Sequence, residues 1–359
     1  MRWLGPWADP TKIPRDPLRR EVVLEPETPE DRPLRLLIYS PPHVPPIGSY
    51  LVAHGFSPAG PSDPRLDRFL RILAHAGFLV LAPFLPHYTQ LLLKPEIARD
   101  FERALLHLVD LAERPRDHRP GIFSVSFGSY PALRVASAPR TNNLIGALVV
   151  FGGYADPDST ISFNLGVLPP RTPPADRTSL PAVALNLLDG FENKPEELGP
   201  VLAGWYEFAS VTWGNPEYRD SNRSLSLARA IAAWMEPDQA HFFMLGCGFV
   251  DGAEQEWLRA LERWGRQAAV DPRPHLHGLQ CPVYLFHSRL DDVIPCEESA
   301  KLMDALPAHI PVRRYVTGLY GHTQRPALME LLRRAPAMAA ETSSMLRMLV
   351  ALVKAGRSP

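Results

Sequence analysis

Phe123-Ser124-Val125-Ser126-Phe127-Gly128 decides how this chain is read. The segment closes an apolar run of strand length, Gly121–Val125. It opens a stretch, Phe127–Ser137, whose apolar residues recur at helical spacing. A serine at such a junction sits on a sharp turn that lifts its hydroxyl above the sheet, beside the free amides at the helix start. Small residues two before and two after it let strand and helix pass close together. The segment thus follows the nucleophile-elbow pattern Gly-x-Ser-x-Gly, with Ser124 in place of the first glycine. Alone, a hexapeptide of this kind is more often an ordinary Ser-Gly turn. Its surroundings have to decide.

Upstream, short apolar runs alternate with helical stretches. Glu21–Leu24, Leu34–Tyr39, Tyr50–Ala53 and Phe78–Ala82 read as strands, with a Pro-rich break at 41–46. Pro64 to Ala76 reads as a helix through Leu66, Phe69, Leu70 and Leu73, and Gly77 stops it. A second helix is expected from Pro95 to Glu113, and a strand follows the elbow helix at Leu144–Phe151. Continuous apolar strands alternating with amphipathic helices predict an α/β fold, a mostly parallel central sheet covered on both faces.

After Phe151 the rhythm breaks. A Pro-rich hinge, Pro169 to Pro181, leads to helical stretches near 195–210, 222–235, 238–245 and 252–269. Five of the seven tryptophans (Trp205, Trp213, Trp234, Trp257, Trp264) lie in this insertion. Most are expected to form its own core, while one face looks toward Ser126. Strand and helix then resume with Val283–His287, Glu297–Leu306, Val312–Val316 and a C-terminal helical region interrupted at Pro336. The expected division is an N-terminal arm at 1–19, a core formed by 20–153 and 279–359, and a helical cap at 154–278.

Composition excludes several classes. With 45% hydrophobic and 21% charged residues the chain is too apolar for disorder, and a formal net charge of −1 offers no footprint for nucleic acid. No run approaches the 18 or so apolar residues of a membrane span, and Asp9 and Pro10 interrupt any signal-like start. Neither stable membrane insertion nor a leader is expected. Three cysteines, Cys247, Cys281 and Cys296, are too few and too odd for a disulfide scaffold, which points to a reducing, cytoplasmic setting. Prolines number 40 of 359, about twice the roughly 5% of ordinary usage. Their placement between elements marks loops.

The remaining chemistry lies at other strand ends. Leu51-Val52-Ala53-His54-Gly55-Phe56 puts a His-Gly-Phe turn after an early strand. The amides of Phe56 and Phe127 are the candidate oxyanion donors, a type of contact commonly worth on the order of 10²–10³ in rate. His287-Ser288-Arg289-Leu290-Asp291-Asp292-Val293-Ile294-Pro295 follows a later strand, and Gly321-His322-Thr323 follows the next. Ser126, Asp291 and His322 therefore stand in the chain order Ser, Asp, His.

On these motifs the chain resembles the α/β-hydrolases over roughly 20–152 and 280–355. It is most similar to serine esterases and dienelactone-hydrolase-like members, here with a large helical cap. The family pattern Gly-x-x-Asp-x-x-Val/Ile-Pro falls on 288–295 with Ser288 in place of the glycine, and the Gly-His loop falls on His322. The resemblance implies a triad of Ser126, Asp291 and His322 that cleaves a small-molecule carboxylic ester through an acyl-enzyme, with no cofactor and no metal. Ser126 argues against epoxide hydrolases and dehalogenases, which need a carboxylate at the elbow. Asp292 and Asp156 are the alternative acids. An acyltransferase, a cofactor-free perhydrolase or a non-catalytic ligand-binding protein are the alternative functions. Oligomeric state is not readable.

Three weaker features have plainer readings. His275-Leu276-His277 has the spacing of a metal pair but no accompanying carboxylate or cysteine cluster. Gly246-Cys247-Gly248 reads as a helix end, and Asn222-Arg223-Ser224 would be a glycosylation site only in a secreted protein.

Overall fold

The structure is a computed structural model, and it describes residues 17–166, 177–264, 268–321 and 338–358. Eight strands build one sheet: β1 (Leu18–Leu24), β2 (Leu34–Ser40), β3 (Gly48–Ala53), β4 (Phe78–Pro83), β5 (Gly121–Val125), β6 (Ala147–Phe151), β7 (Val283–Leu290) and β8 (Val312–Gly321). Their order is β1-β2-β4-β3-β5-β6-β7-β8. Strands β3 to β8 run parallel, while β2 is antiparallel to both β1 and β4. The expected mostly parallel sheet is therefore present. Every residue of β3 and of β4 is buried, the mark of strands covered on both faces. Edge strand β1 is largely exposed and carries Arg19, Arg20 and Glu21, charges that discourage edge-to-edge pairing.

The helices of the core are α1 (Pro64–His75), the single turn α2 (Pro86–Thr89), α3 (Ile97–Asp110) and α4 (Ser129–Ser137). Asp63 caps α1 by accepting from the Arg65 amide, Pro64 occupies its first turn, and Gly77 takes the left-handed conformation (φ +106°) just past its end. Between β6 and β7 come α5 (Pro157–Asn164), α6 (Leu180–Leu187), α7 (Gly199–Thr212), α8 (Ser221–Ala232), α9 (Pro237–Gly246) and α10 (Ala253–Trp264). The chain then adds α11 (Glu297–Ala305) and α12 (Met338–Ala355).

Alternation along β3 sorts the core into two layers. Leu51 and Ala53 pack with Phe101, Leu105 and Leu108 of α3 and Leu133 of α4. Tyr50 and Val52 face the other way, onto Leu70 and Leu73 of α1 and Leu352 of α12. Helices α5 to α10 share a third apolar cluster of their own, which includes Ile161, Leu187, Trp205, Phe208, Phe243 and Trp257.

Several boundaries differ from expectation. β1 begins at Leu18 and takes in two residues read as arm; residues 1–16 lie outside the described residues. Residues 142–144 form a helical turn, so β6 starts only at Ala147. Helix α5 was not expected at all. The end of the proposed hinge belongs to α6, because Pro181 sits at its first turn, where a missing N–H costs nothing. The rest of that hinge, 169–176, lies outside the described residues, as does Pro336.

The tryptophans divide. Trp205 and Trp257 are buried in the helical cluster and Trp264 packs against it. Trp234 is 93% exposed, against the expectation for the group, because it lies just past the end of α8. Trp213 leaves the cluster and packs against the sheet's own core. Among the described residues no helix is long and apolar enough to cross a membrane. All three cysteines are free thiols, Cys247 and Cys281 buried and Cys296 half-buried.

Candidate active site

Ser126 follows β5 directly and has φ +55°. For a residue with a Cβ this left-handed backbone costs roughly 1–2 kcal/mol, and such strain collects where structure must over-determine a side chain's direction. Its neighbours hold it there. A Cβ on Gly55 would stand 2.9 Å from the Ser126 Cβ, and one on Gly128 would stand 2.5 Å from the Ala53 carbonyl oxygen. Both positions need glycine because β3, β5 and the start of α4 converge on this point. Ser124, which departs from the pattern, is accommodated: it is fully buried and its hydroxyl donates to the Val149 carbonyl at 3.3 Å.

A mostly parallel eight-strand sheet, helices on both faces and a serine turned left-handed between strand and helix answer the expectation raised by the motifs. This is the α/β-hydrolase fold.

In this α/β-hydrolase fold Phe56 and Phe127 come from the loops after β3 and β5, and their rings stack at 4.4 Å between centroids. The Tyr88 hydroxyl donates to the Phe127 carbonyl at 2.7 Å, and its ring stands edge-on to Phe56. Among the described residues, neither the Phe56 nor the Phe127 amide donates to a backbone carbonyl in a turn or loop.

His54 has a different role from the one a histidine near the candidate serine invites. Its Nδ1–H donates to the Gly55 carbonyl at 2.6 Å, and its Nε2 accepts the Leu85 amide at 3.0 Å. Both ring nitrogens are engaged with backbone, and burial lowers its pKa from the ordinary value to about 4, so the ring is neutral. A trans peptide points its C=O and N–H in opposite directions. Binding the Gly55 oxygen on one side therefore turns the Phe56 N–H to the other.

Asp291 lies in the loop after β7 and is buried. Its Oδ1 accepts the amides of Val293 (3.0 Å) and Ile294 (2.8 Å), and its Oδ2 lies 3.5 Å from Nε2 of His287. The Nε2–H of His287 donates to the Ile294 carbonyl at 2.9 Å, so this fully buried ring braces the loop. Asp292 turns away and pairs with Arg219 of the helical insertion at 3.2 Å. Asp156 caps α5 by accepting the Asp158 and Ser159 amides and pairs with Arg273 at 3.3 Å. The third candidate, His322, lies outside the described residues, one position past β8.

Sequence reading missed Tyr88 and Asn186. Tyr88 sits in a one-turn helix with no periodicity to flag it. The Asn186 Oδ1 accepts the Leu93 amide at 2.6 Å and its Nδ2 donates to the carbonyls of Leu91 and Ala182, tying α6 to the core. His275 and His277 belong to a short helical turn in which Nδ1–H of His277 donates to the Pro274 carbonyl. Cys247 caps the end of α9 and Gly248 is left-handed, the helix end that was expected.

No family model matches the chain, and a sequence search of curated proteins finds no match. Among solved structures, the acylaminoacyl peptidase of Pyrococcus horikoshii aligns with 86% of the chain at 11% identity and a TM-score of 0.45. The chain spans only 38% of that protein. An esterase of Pyrococcus furiosus aligns with 84% of the chain and 81% of its own length, at 13% identity and a TM-score of 0.47. The esterase domain of a Rhodothermus marinus protein aligns with 85% of the chain and 90% of its own length, at 14% identity and a TM-score of 0.43.

Proposed function

We propose that the chain is a serine hydrolase that cleaves a small-molecule carboxylic ester. The observation that carries this reading is Ser126, held at φ +55° between β5 and α4 and wedged against Gly55. An ordinary Ser-Gly turn has no need of that strain.

In this reading the Ser126 hydroxyl attacks the ester carbonyl while His322 takes its proton. The amides of Phe56 and Phe127 bind the oxygen that becomes negative, and the stacked rings and His54 hold those amides in place. His322 then delivers the proton to the departing alcohol, leaving an acyl group on Ser126. A water deprotonated by His322 attacks that acyl group, the acid leaves and Ser126 regains its proton. Asp291 orients His322 and stabilises its imidazolium. Its two backbone hydrogen bonds hold the carboxyl group in one place within the loop, as an orienting role needs. Residues 154–278 act as a cap over the site, and their separate apolar cluster supports that division. The free cysteines support a reducing, cytoplasmic setting.

Ser126→Ala tests the reading. The variant should fold normally, lose hydrolysis of short activated esters and lose labelling by a fluorophosphonate probe. Unchanged labelling would overturn the assignment.

A further inference from the structure

Helix α5 is tied at both ends to the segment that runs from Asp291 to Glu298. At its start, the amides of Ala155 and Asp156 donate to Oε2 of Glu298 at 3.0 and 2.7 Å, and the Ser159 hydroxyl donates to Oε1 at 2.6 Å. Glu298 is fully buried in the first turn of α11. At its end stands Asn164, also buried. The Asn164 amide donates to the Thr160 carbonyl of its own helix at 2.9 Å and to the Val293 carbonyl at 2.6 Å. An asparagine amide has two hydrogens, so both are used. The Val293 carbonyl and the Ile294 N–H are the two ends of one peptide group, which points them in opposite directions. The carbonyl accepts from Asn164, while the N–H donates to Oδ1 of Asp291 at 2.8 Å. Hydrogen bonds in series through one peptide polarise each other in the same sense. The next carbonyl along, that of Ile294, accepts from Nε2 of His287 at 2.9 Å.

We propose that Asn164 is a positioning residue: acting through the Val293–Ile294 peptide, it fixes the direction of the Asp291 carboxylate. The proposal rests on the reading of Asp291 as the acid of a serine hydrolase. Without Asn164 the Val293 carbonyl loses a buried donor, which is costly, and the peptide turns to find another. That turn carries the Ile294 N–H away from the carboxylate it holds. Asn164 thus links the first helix after β6 to the acid at the end of β7.

The test is steady-state kinetics on 4-nitrophenyl acetate with the full chain and its Asn164→Ala, Asn164→Leu, Asp156→Ala and Asp291→Ala variants. Asn164→Ala should lower kcat by about 10²-fold with KM little changed, the scale of loss when a group is misplaced from a distance. Asn164→Leu keeps the branched outline but has no hydrogen to donate, so it should lose as much. Asn164 also lines a cavity with Phe56, Phe127 and Trp213; a loss confined to the alanine variant, or to KM, would trace to that space and overturn the proposal. Asp156→Ala weakens the start of the same helix and spares Asn164, so its kcat should hold. A fall there equal to that of Asn164→Ala would make the effect one of helix stability and overturn the proposal.

A double variant separates positioning from general support. Asp291→Ala should cost on the order of 10⁴ in kcat. Adding Asn164→Ala should cost nothing more, because the carboxylate that Asn164 serves is gone. Independent losses would instead multiply to about 10⁶, and that result overturns the proposal. Unaltered kcat in both Asn164 variants, with Asp291→Ala impaired, overturns it and leaves the acid reading standing. If Asp291→Ala keeps its kcat, the acid reading fails and the proposal falls with it. If circular dichroism shows that neither Asn164 variant folds, Asn164 is a general support of the fold, and the proposal is overturned as well.

Discussion

The rings of Phe56 and Phe127 lie 4.4 Å apart and 8° from parallel. They join two loops that are separate in sequence, one after β3 and one after β5, through the side chains of the residues whose amides are proposed to bind the oxyanion. A stack of this kind is worth about 0.5–1.5 kcal/mol beyond its buried area. Phe56→Leu keeps the position apolar and ends the stack. It should lower kcat more than it raises KM, by between about tenfold and the 10²–10³ of losing a donor outright. Steady-state kinetics on a short ester check this, and a change confined to KM would count against it.

Backbone strain at Ser126 makes a second expectation. Ser126→Gly removes the Cβ from a position at φ +55°, and should raise unfolding stability by about 1 kcal/mol while abolishing turnover. Ser126→Ala should be equally inactive without that gain. Urea unfolding of the two variants side by side separates strain at the turn from a simple loss of the hydroxyl.

The three acidic candidates should separate cleanly. Asp291→Asn is expected to cut kcat by about 10⁴-fold if it orients the histidine. Asp292→Asn loses a partly exposed ion pair with Arg219, worth about 1 kcal/mol or less, and should leave kcat nearly intact. Asp156→Ala should cost about 1 kcal/mol of stability through the lost cap on α5, again with kcat preserved. Kinetics and denaturation of the three variants in parallel provide the check.

His54 sets a pH dependence. Burial lowers its pKa to about 4, whereas in the unfolded chain it titrates near 6.5. Between those values the unfolded state binds more protons, so stability rises with pH across that window. It should be fully present above about pH 6.5 and fall on acidification, with His54 responsible for about 3 kcal/mol by pH 4. His54→Asn keeps a short amide donor but cannot titrate, and its unfolding midpoint should slope less steeply over the same range. An identical slope in the variant would remove His54 as the cause.

Much of this protein was legible in local sequence. The apolar runs placed β1 to β7 to within three residues at either end. The buried strands among them were legible because a strand covered on both faces has nowhere to put a polar side chain; β8 runs five residues past its expected end. The elbow was legible from the residue types around Ser126, and its departure at Ser124 only became harmless once Val149 was seen to accept the hydroxyl. Helix α5 was not visible, because its eight residues mix serine, threonine and asparagine with few apolar positions. Helix α6 was hidden by the proline-rich stretch that precedes it.

By itself the sequence determined the alternation of strand and helix, the residue types at each turn and the order of Ser126, Asp291 and His322, because all of these are encoded within a few neighbours along the chain. Tertiary structure alone decided that β2 and β4 pair antiparallel, that Asp156 serves as a helix cap and that His54 is a neutral brace. It also decided that Phe56 meets Phe127 and that Trp213 leaves the helical cluster to close the space beside them. Each of these depends on which distant backbone group or ring arrives next to a residue. That is settled by burying apolar area and satisfying buried polar atoms across the whole fold, which no local pattern specifies.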